Sequence, residues 1–246
     1  LCRGTAQVDW LLSHHLLGSA YMTTPFTLQH QDEAALLAKI GDLKGGDPDA
    51  MRVLVRLLVL GGFGMLLAGN SQPGSQGEHL ISHYIDMFQH PHPGSLHGEQ
   101  VGLATWTMAC LQHDVLARDR PPALKPTHID AAGMAKRYGR LDRHCRQALV
   151  GKALDGNRLD LMTARLEQGW QDMREHLNGV AMPLTELRAA LEAAGVVIEP
   201  EALGISSPAY RDIVRHAREL RDRYTMLDLA ADAGLLDLFI DRHLAQ

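Results

Sequence analysis

The sequence is poor in the residue types that build disulfide-stapled, sheet-rich or nucleic-acid-binding proteins. Aromatic residues make up 5% of its 246 residues, and it has only three cysteines, Cys2, Cys110 and Cys145. An odd number of distant cysteines without C-x-x-C spacing argues against a disulfide framework and favours a reducing cytoplasm. The formal net charge is −5 and no basic run is present, so we predict no nucleic-acid partner.

The sequence also lacks an apolar run long enough to cross a bilayer. The longest stretch, residues 57–69 (LLVLGGFGMLLAG), is shorter than the roughly 20 residues of a spanning helix and carries three internal glycines. We therefore predict a buried core helix there and no membrane span. The N-terminus has neither a leader segment nor a Met and starts inside a helical pattern. We expect that the beginning of a longer chain is missing.

Leucine and alanine dominate and runs of β-branched residues are scarce, which favours helix almost everywhere. Asp47 followed by Pro48 is typical of the start of a helix. Residues 196–207, which include Pro200 and Gly204, are typical of a connector between helices. No G-x-G-x-x-G motif, P-loop or alternating strand and helix pattern is present. We predict a single all-α domain over residues 1–246, without a nucleotide-binding part. Apolar periodicity predicts helices over residues 5–17, 31–43, 48–68, 77–89, 96–117, 130–138, 141–154, 158–177, 183–195, 209–224, 225–233 and 235–244.

Three histidines have a spacing suited to metal chemistry. His79 and His83 are four residues apart and share one helix face, and His97 begins the next helix after a short loop. This arrangement can bring His79 and His97 onto one cation, and a further ligand must come from elsewhere. The alternative is that the spacing of His79 and His83 on one helix face is a coincidence, because the sequence contains 14 histidines. The glycine-rich approach at residues 74–77 and the H-G-E that begins at His97 favour a site, because backbone there must pass close to something.

Residues 69–83 (GNSQPGSQGEHLISH) and 96–102 (LHGEQVG) resemble the sn-glycerol-1-phosphate dehydrogenases. That family is related to glycerol dehydrogenase, the iron-containing alcohol dehydrogenases and dehydroquinate synthase. Two further segments are similar, residues 6–18 (AQVDWLLSHHLLG) and 221–236 (RDRYTMLDLAADAGLL). The resemblance thus runs from the first residues to residue 236.

This resemblance implies the C-terminal helical, metal-binding domain of such an enzyme, with the N-terminal nucleotide-binding α/β domain missing. The family binds its metal with one aspartate and two histidines. His79 and His97 match the two histidine positions, and the aspartate would lie just upstream of Leu1. The ligand set suits zinc, iron or nickel. We expect the isolated fragment to be inactive.

The implied reaction interconverts dihydroxyacetone phosphate and sn-glycerol 1-phosphate with NADH or NADPH, the metal acting as a Lewis acid. His83 is placed to relay a proton, or else it is a core or ligand-orienting histidine. Ser71 and Ser75 are candidates to contact the substrate phosphate, although turn chemistry would also explain them. Glu78 and Glu99 are expected to orient the ligand histidines or to cap helices.

One departure from the family pattern bears on the substrate. Gln72 stands where relatives usually have an arginine, which favours an unphosphorylated polyol such as glycerol as the alternative substrate. A third hypothesis is a stand-alone helical domain that binds metal or a partner without catalysis. The sequence leaves open the choice between NAD and NADP, and whether the protein is a homo-oligomer.

Overall fold

A computed structural model describes residues 1–244 of the chain. Within this range the fold is all-α and contains no strand, as the sequence predicts. Short 3₁₀ segments lie at Ile40–Gly45, Gly139–Leu141, Pro200–Leu203 and Ala217–Leu220. The helices are α1 (Cys2–Leu17), α2 (Thr24–Thr27), α3 (His30–Leu37), α4 (Pro48–Ala68), α5 (Gly77–Phe88), α6 (His97–Leu116), α7 (Ala131–Tyr138), α8 (Asp142–Lys152), α9 (Gly156–Val180), α10 (Leu184–Ala194), α11 (Ser207–His216), α12 (Met226–Asp232) and α13 (Leu236–His243).

Local sequence signals account for several helix ends. The Asp47 side chain accepts hydrogen bonds from the backbone N–H groups of Asp49 and Ala50, at 3.0 and 2.8 Å, so the predicted start of α4 is confirmed. At the other end Gly69 adopts a left-handed conformation with φ of 68°, which costs glycine little.

Two predicted helices are shorter in the structure. The helix predicted over 31–43 stops at Leu37 and resumes as 3₁₀ turns at Ile40–Gly45. The helix predicted over 209–224 stops at His216. Beyond it, the buried ammonium group of Lys152 donates hydrogen bonds to the backbone carbonyls of Arg218 and Arg223, each at 2.7 Å. Those carbonyls are then bonded to a side chain rather than to a following helical N–H, so the segment leaves the helix.

The main core forms where α1, α5 and α6 pack on one another and on α9, α11 and α12. Fully buried side chains such as Ile81, Leu103, Met108 and Tyr210 fill it. The loop at residues 89–96 returns the chain so that α6 begins beside the first turns of α5. The first residue of α6, His97, therefore lies next to Ser82 of α5.

Helix α4 contradicts the prediction of a buried core helix over residues 57–69. It contacts α2, α3 and the 3₁₀ turns at Ile40–Gly45, and its buried residues are Ala50, Leu57 and Gly64. The prediction failed because an apolar sequence indicates that a helix avoids water but not which neighbour covers it.

The 21-residue helix α4, which contains an 18-residue window with a mean hydropathy of 1.9, is also long and apolar enough to cross a bilayer. The prediction of no membrane span counted only part of this helix. Length and composition alone are weak evidence for a membrane segment.

Candidate metal and substrate site

The approach to α5 is fixed by a buried carboxylate. Asp9 of α1 accepts a hydrogen bond from the backbone N–H of Gly77 at 3.1 Å, and its other oxygen accepts from Gln112 Nε2 and the Met226 N–H. Burial, and then the negative charge of Glu78, raise the pKa of Asp9 to about 7, while these three hydrogen bonds oppose the shift. The backbone at Gly77 thus passes close to Asp9, as the glycine-rich approach predicts.

Glu78 orients the first candidate ligand. Its buried carboxylate lies 2.9 Å from His79 Nδ1 and also accepts from the backbone N–H of Gln76 and the Thr5 hydroxyl, at 2.9 and 3.3 Å. A carboxylate can only accept, so the proton of the neutral imidazole lies on Nδ1. This leaves the lone pair of His79 on Nε2, and the contact expected between Glu78 and this histidine is present.

A chain of polar groups orients the second candidate ligand. Asp86 Oδ1 accepts from Gln100 Nε2 at 2.9 Å, which turns the amide oxygen of Gln100 toward the Ser82 hydroxyl, 2.7 Å away. Because Ser82 donates its proton to Gln100, it accepts from His97 Nδ1, at 3.0 Å. The lone pair of His97 therefore also lies on Nε2. Sequence reasoning missed Ser82, Gln100 and Asp86, although Gln100 lies in the H-G-E-Q motif.

The structure brings His79, His83 and His97 together. The ring centroids of His79 and His97 are 5.4 Å apart, and His83 lies 6.2 and 6.3 Å from them. Burial lowers the pKa of His83, helped by the charges of His79, Arg221 and His97. Glu99 instead caps α6 by accepting the Leu96 N–H at 2.7 Å, as expected for one of the two glutamates.

Two imidazoles with unprotonated Nε2 atoms fit a first-row divalent cation. Metal-bound histidines usually donate their other ring N–H to a carboxylate or similar acceptor, as His79 does to Glu78 and His97 to Ser82. Over residues 1–244, however, no group of three or more His, Cys, Asp or Glu side chains is arranged to hold an ion. The described residues therefore present two candidate ligands, and a metal site built on them would need others.

Arg223 donates hydrogen bonds to both of the serines that the sequence predicts to bind substrate. Arg223 Nη2 donates to Ser71 Oγ at 2.7 Å, and Nη1 donates to the backbone carbonyl of Ser75. The negative charge of Glu78 also acts on Arg223. Arg223 is far from the loop in sequence, and no local signal connects them.

No model of a protein family matches the chain. Curated relatives are glycerol-1-phosphate dehydrogenases [NAD(P)+]. The protein of Staphylothermus marinus is 38% identical over 111 residues, which cover 45% of this chain and 30% of the relative. That of Methanothermobacter thermautotrophicus is 34% identical over 125 residues, or 48% and 35% of the two chains.

The protein of Geobacillus stearothermophilus is 28% identical over 226 residues, which cover 91% of this chain and 49% of the relative. The chain thus spans between about a third and a half of the length of these relatives. With its all-α fold and its partial coverage of these relatives, the chain is related to a part of the glycerol-1-phosphate dehydrogenases [NAD(P)+].

Proposed function

We propose that this chain is the metal- and substrate-binding part of a cytoplasmic NAD(P)-linked dehydrogenase that interconverts dihydroxyacetone phosphate and sn-glycerol 1-phosphate. The observation that carries the proposal is the pair His79 and His97. Each has its Nδ1 held by a neighbouring acceptor and its Nε2 available. The names of the relatives supply the reaction and the nicotinamide cofactor.

In this proposal His79 and His97 hold a zinc, iron or nickel ion. When bound, such an ion polarises a ketone oxygen as a Lewis acid. The nicotinamide cofactor, bound outside the described residues, supplies the hydride. His83, beside both ligand histidines, delivers the proton that the alcohol oxygen gains on reduction. The Ser71 and Ser75 hydroxyls face the substrate phosphate.

The competing substrate is an unphosphorylated polyol, favoured by Gln72 in place of the family's arginine. The presence of Arg223 at the same loop weighs against it, because the loop still carries a guanidinium. A non-catalytic metal-binding domain is the remaining alternative. It would be supported if a full-length protein containing this chain bound metal but oxidised no NAD(P)H.

The direct test compares two ketones in a full-length protein that contains this chain. NADH or NADPH oxidation is followed with dihydroxyacetone phosphate and with dihydroxyacetone, in the presence of zinc, iron or nickel. We expect a higher kcat/KM for the phosphorylated ketone and sn-glycerol 1-phosphate as the product. A preference for dihydroxyacetone would contradict the proposal, and so would the absence of turnover with either ketone.

A further inference from the structure

Arg223 lies on a segment that the fold holds rigidly. Its backbone carbonyl accepts from Lys152 Nζ at 2.7 Å, and Lys152 is also paired with Asp228 at 2.8 Å. The next residue but one, Thr225, forms the capping box that starts α12 together with Asp228. A buried ion pair and a helix cap thus fix the chain on one side of Arg223, so its guanidinium is presented from a firm support.

The guanidinium of Arg223 has hydrogen-bond donors that its contacts in the structure do not use. Two of its N–H groups bond to Ser71 Oγ and the Ser75 carbonyl, which leaves three of the five donors of an arginine. Within residues 1–244, Arg223 forms no ion pair with a carboxylate, and the negative charges that act on it are those of Asp222 and Glu78. Ser71 accepts from Arg223, so its own hydroxyl proton is free to be donated.

Arg221 adds a second positive charge nearby. Its side chain is exposed, and its charge acts on both His83 and Arg223, lowering the pKa of each. The Arg223 guanidinium and the Ser71 hydroxyl therefore form a set of donors at the serine loop, with the positive charge of Arg221 nearby. A doubly charged phosphate is the group that such a set of donors binds best, because it accepts several charge-assisted hydrogen bonds at once.

Resting on the proposed function, we propose that Arg223, with Arg221 beside it, is the anchor for the substrate's phosphate group. In this proposal Arg223 supplies the positive charge that Gln72, in the position of the family's arginine, lacks. The alternative is a purely structural arginine that holds the loop at residues 71–76 in place. The two roles differ in one respect: an anchor acts on the phosphorylated substrate, whereas a loop brace acts on any substrate.

The test uses a full-length protein with Arg223→Met and, as a matched control, Arg158→Met. Arg158 likewise donates to two backbone carbonyls, but these are the carbonyls of Gly151 and Ala153 and not groups of the loop at residues 71–76. We expect R223M to raise KM for dihydroxyacetone phosphate on the order of 10- to 100-fold and to leave KM for dihydroxyacetone within a factor of about two. R158M should change neither.

Inorganic phosphate provides a readout that does not depend on turnover. It should raise the melting temperature of the wild-type protein and of R158M, and not that of R223M. An equal loss of kcat/KM for both ketones in R223M, or a phosphate effect that survives R223M, would overturn the anchor. A phosphate effect that depends on Arg223 in a protein without activity toward the phosphorylated ketone would keep the anchor and refute the proposed function.

Discussion

His79 and His97 have equivalent environments although they lie on different helices. In each ring Nδ1 is held by an oxygen of α5, from Glu78 in one case and Ser82 in the other. Fixing the tautomer in advance leaves Nε2 as the ligand atom of both rings. Two histidines that came together by chance would not be expected to have such matched hydrogen-bond partners at Nδ1.

Replacing Ser82 by alanine removes the acceptor of the His97 Nδ1 proton. It also leaves the Gln100 amide oxygen without its donor. Because orienting partners of this kind typically contribute 10- to 100-fold to metal affinity, we expect S82A to weaken zinc binding by about that factor. Competition with a chromophoric chelator measures the change in the full-length protein.

Ser13→Ala is the control for this experiment. Ser13 is also a buried serine that takes part in a side-chain hydrogen bond, with Ser19, but it does not contact the histidines. Its zinc affinity should equal that of the wild type. Equal affinities in the Ser82 and Ser13 variants would show that the Ser82 hydroxyl does not support a ligand.

At the level of the helices, Asp9 joins three elements. It lies on α1 and accepts the backbone N–H groups at the starts of α5 and α12, from Gly77 and Met226. Asp9→Asn keeps the shape but replaces one acceptor oxygen by a donor, which leaves a buried N–H unpaired. We expect a loss of about 1–3 kcal/mol in the free energy of unfolding. Urea unfolding measures it, with the exposed Asp160→Asn as the unaffected control.

The same carboxyl predicts a pH dependence. The pKa of Asp9 is raised from 3.8 to about 7, so between these values the folded state binds more protons than the unfolded state. The contribution of Asp9 to stability therefore falls as pH rises through this window. The stability advantage of the wild type over D9N should be larger near pH 5 than near pH 8. An advantage that increases with pH would contradict the raised pKa.

The helices were predictable where local signals decide them. Asp47 and Pro48 start α4 as expected, and the i, i+4 pair His79 and His83 lies on one helix as expected. Long-range contacts decide the rest. The early end of α11 depends on hydrogen bonds from Lys152, more than 60 residues away, and the exposure of α4 depends on which elements fail to cover it.

The site was predictable only in part for the same reason. Motif spacing identified His79 and His97, because both belong to local sequence patterns. Their supports and the arginine at the serine loop were not predictable, since they require α5 to meet α6 and residue 223 to meet residue 75. A pattern along the chain contains no information about such pairs until the fold is known.

On the scale of the whole molecule, the proposed function makes the described residues one side of a site. They supply two imidazoles, a histidine beside them and a cationic loop. The curated relatives are about two to three times longer than the part that matches. Under the proposed function, the nicotinamide cofactor and the remaining metal ligands would belong to a part of the protein outside the described residues.

The metal content of full-length variants tests the central claim most directly. His79→Ala and His97→Ala are purified in parallel with the wild type and with His30→Ala, an exposed histidine outside the cluster. Zinc, iron and nickel are then quantified per chain. We predict about one ion per chain in the wild type and the H30A control, and far less in H79A and H97A. Full occupancy in both H79A and H97A would contradict the assignment of these two histidines as metal ligands.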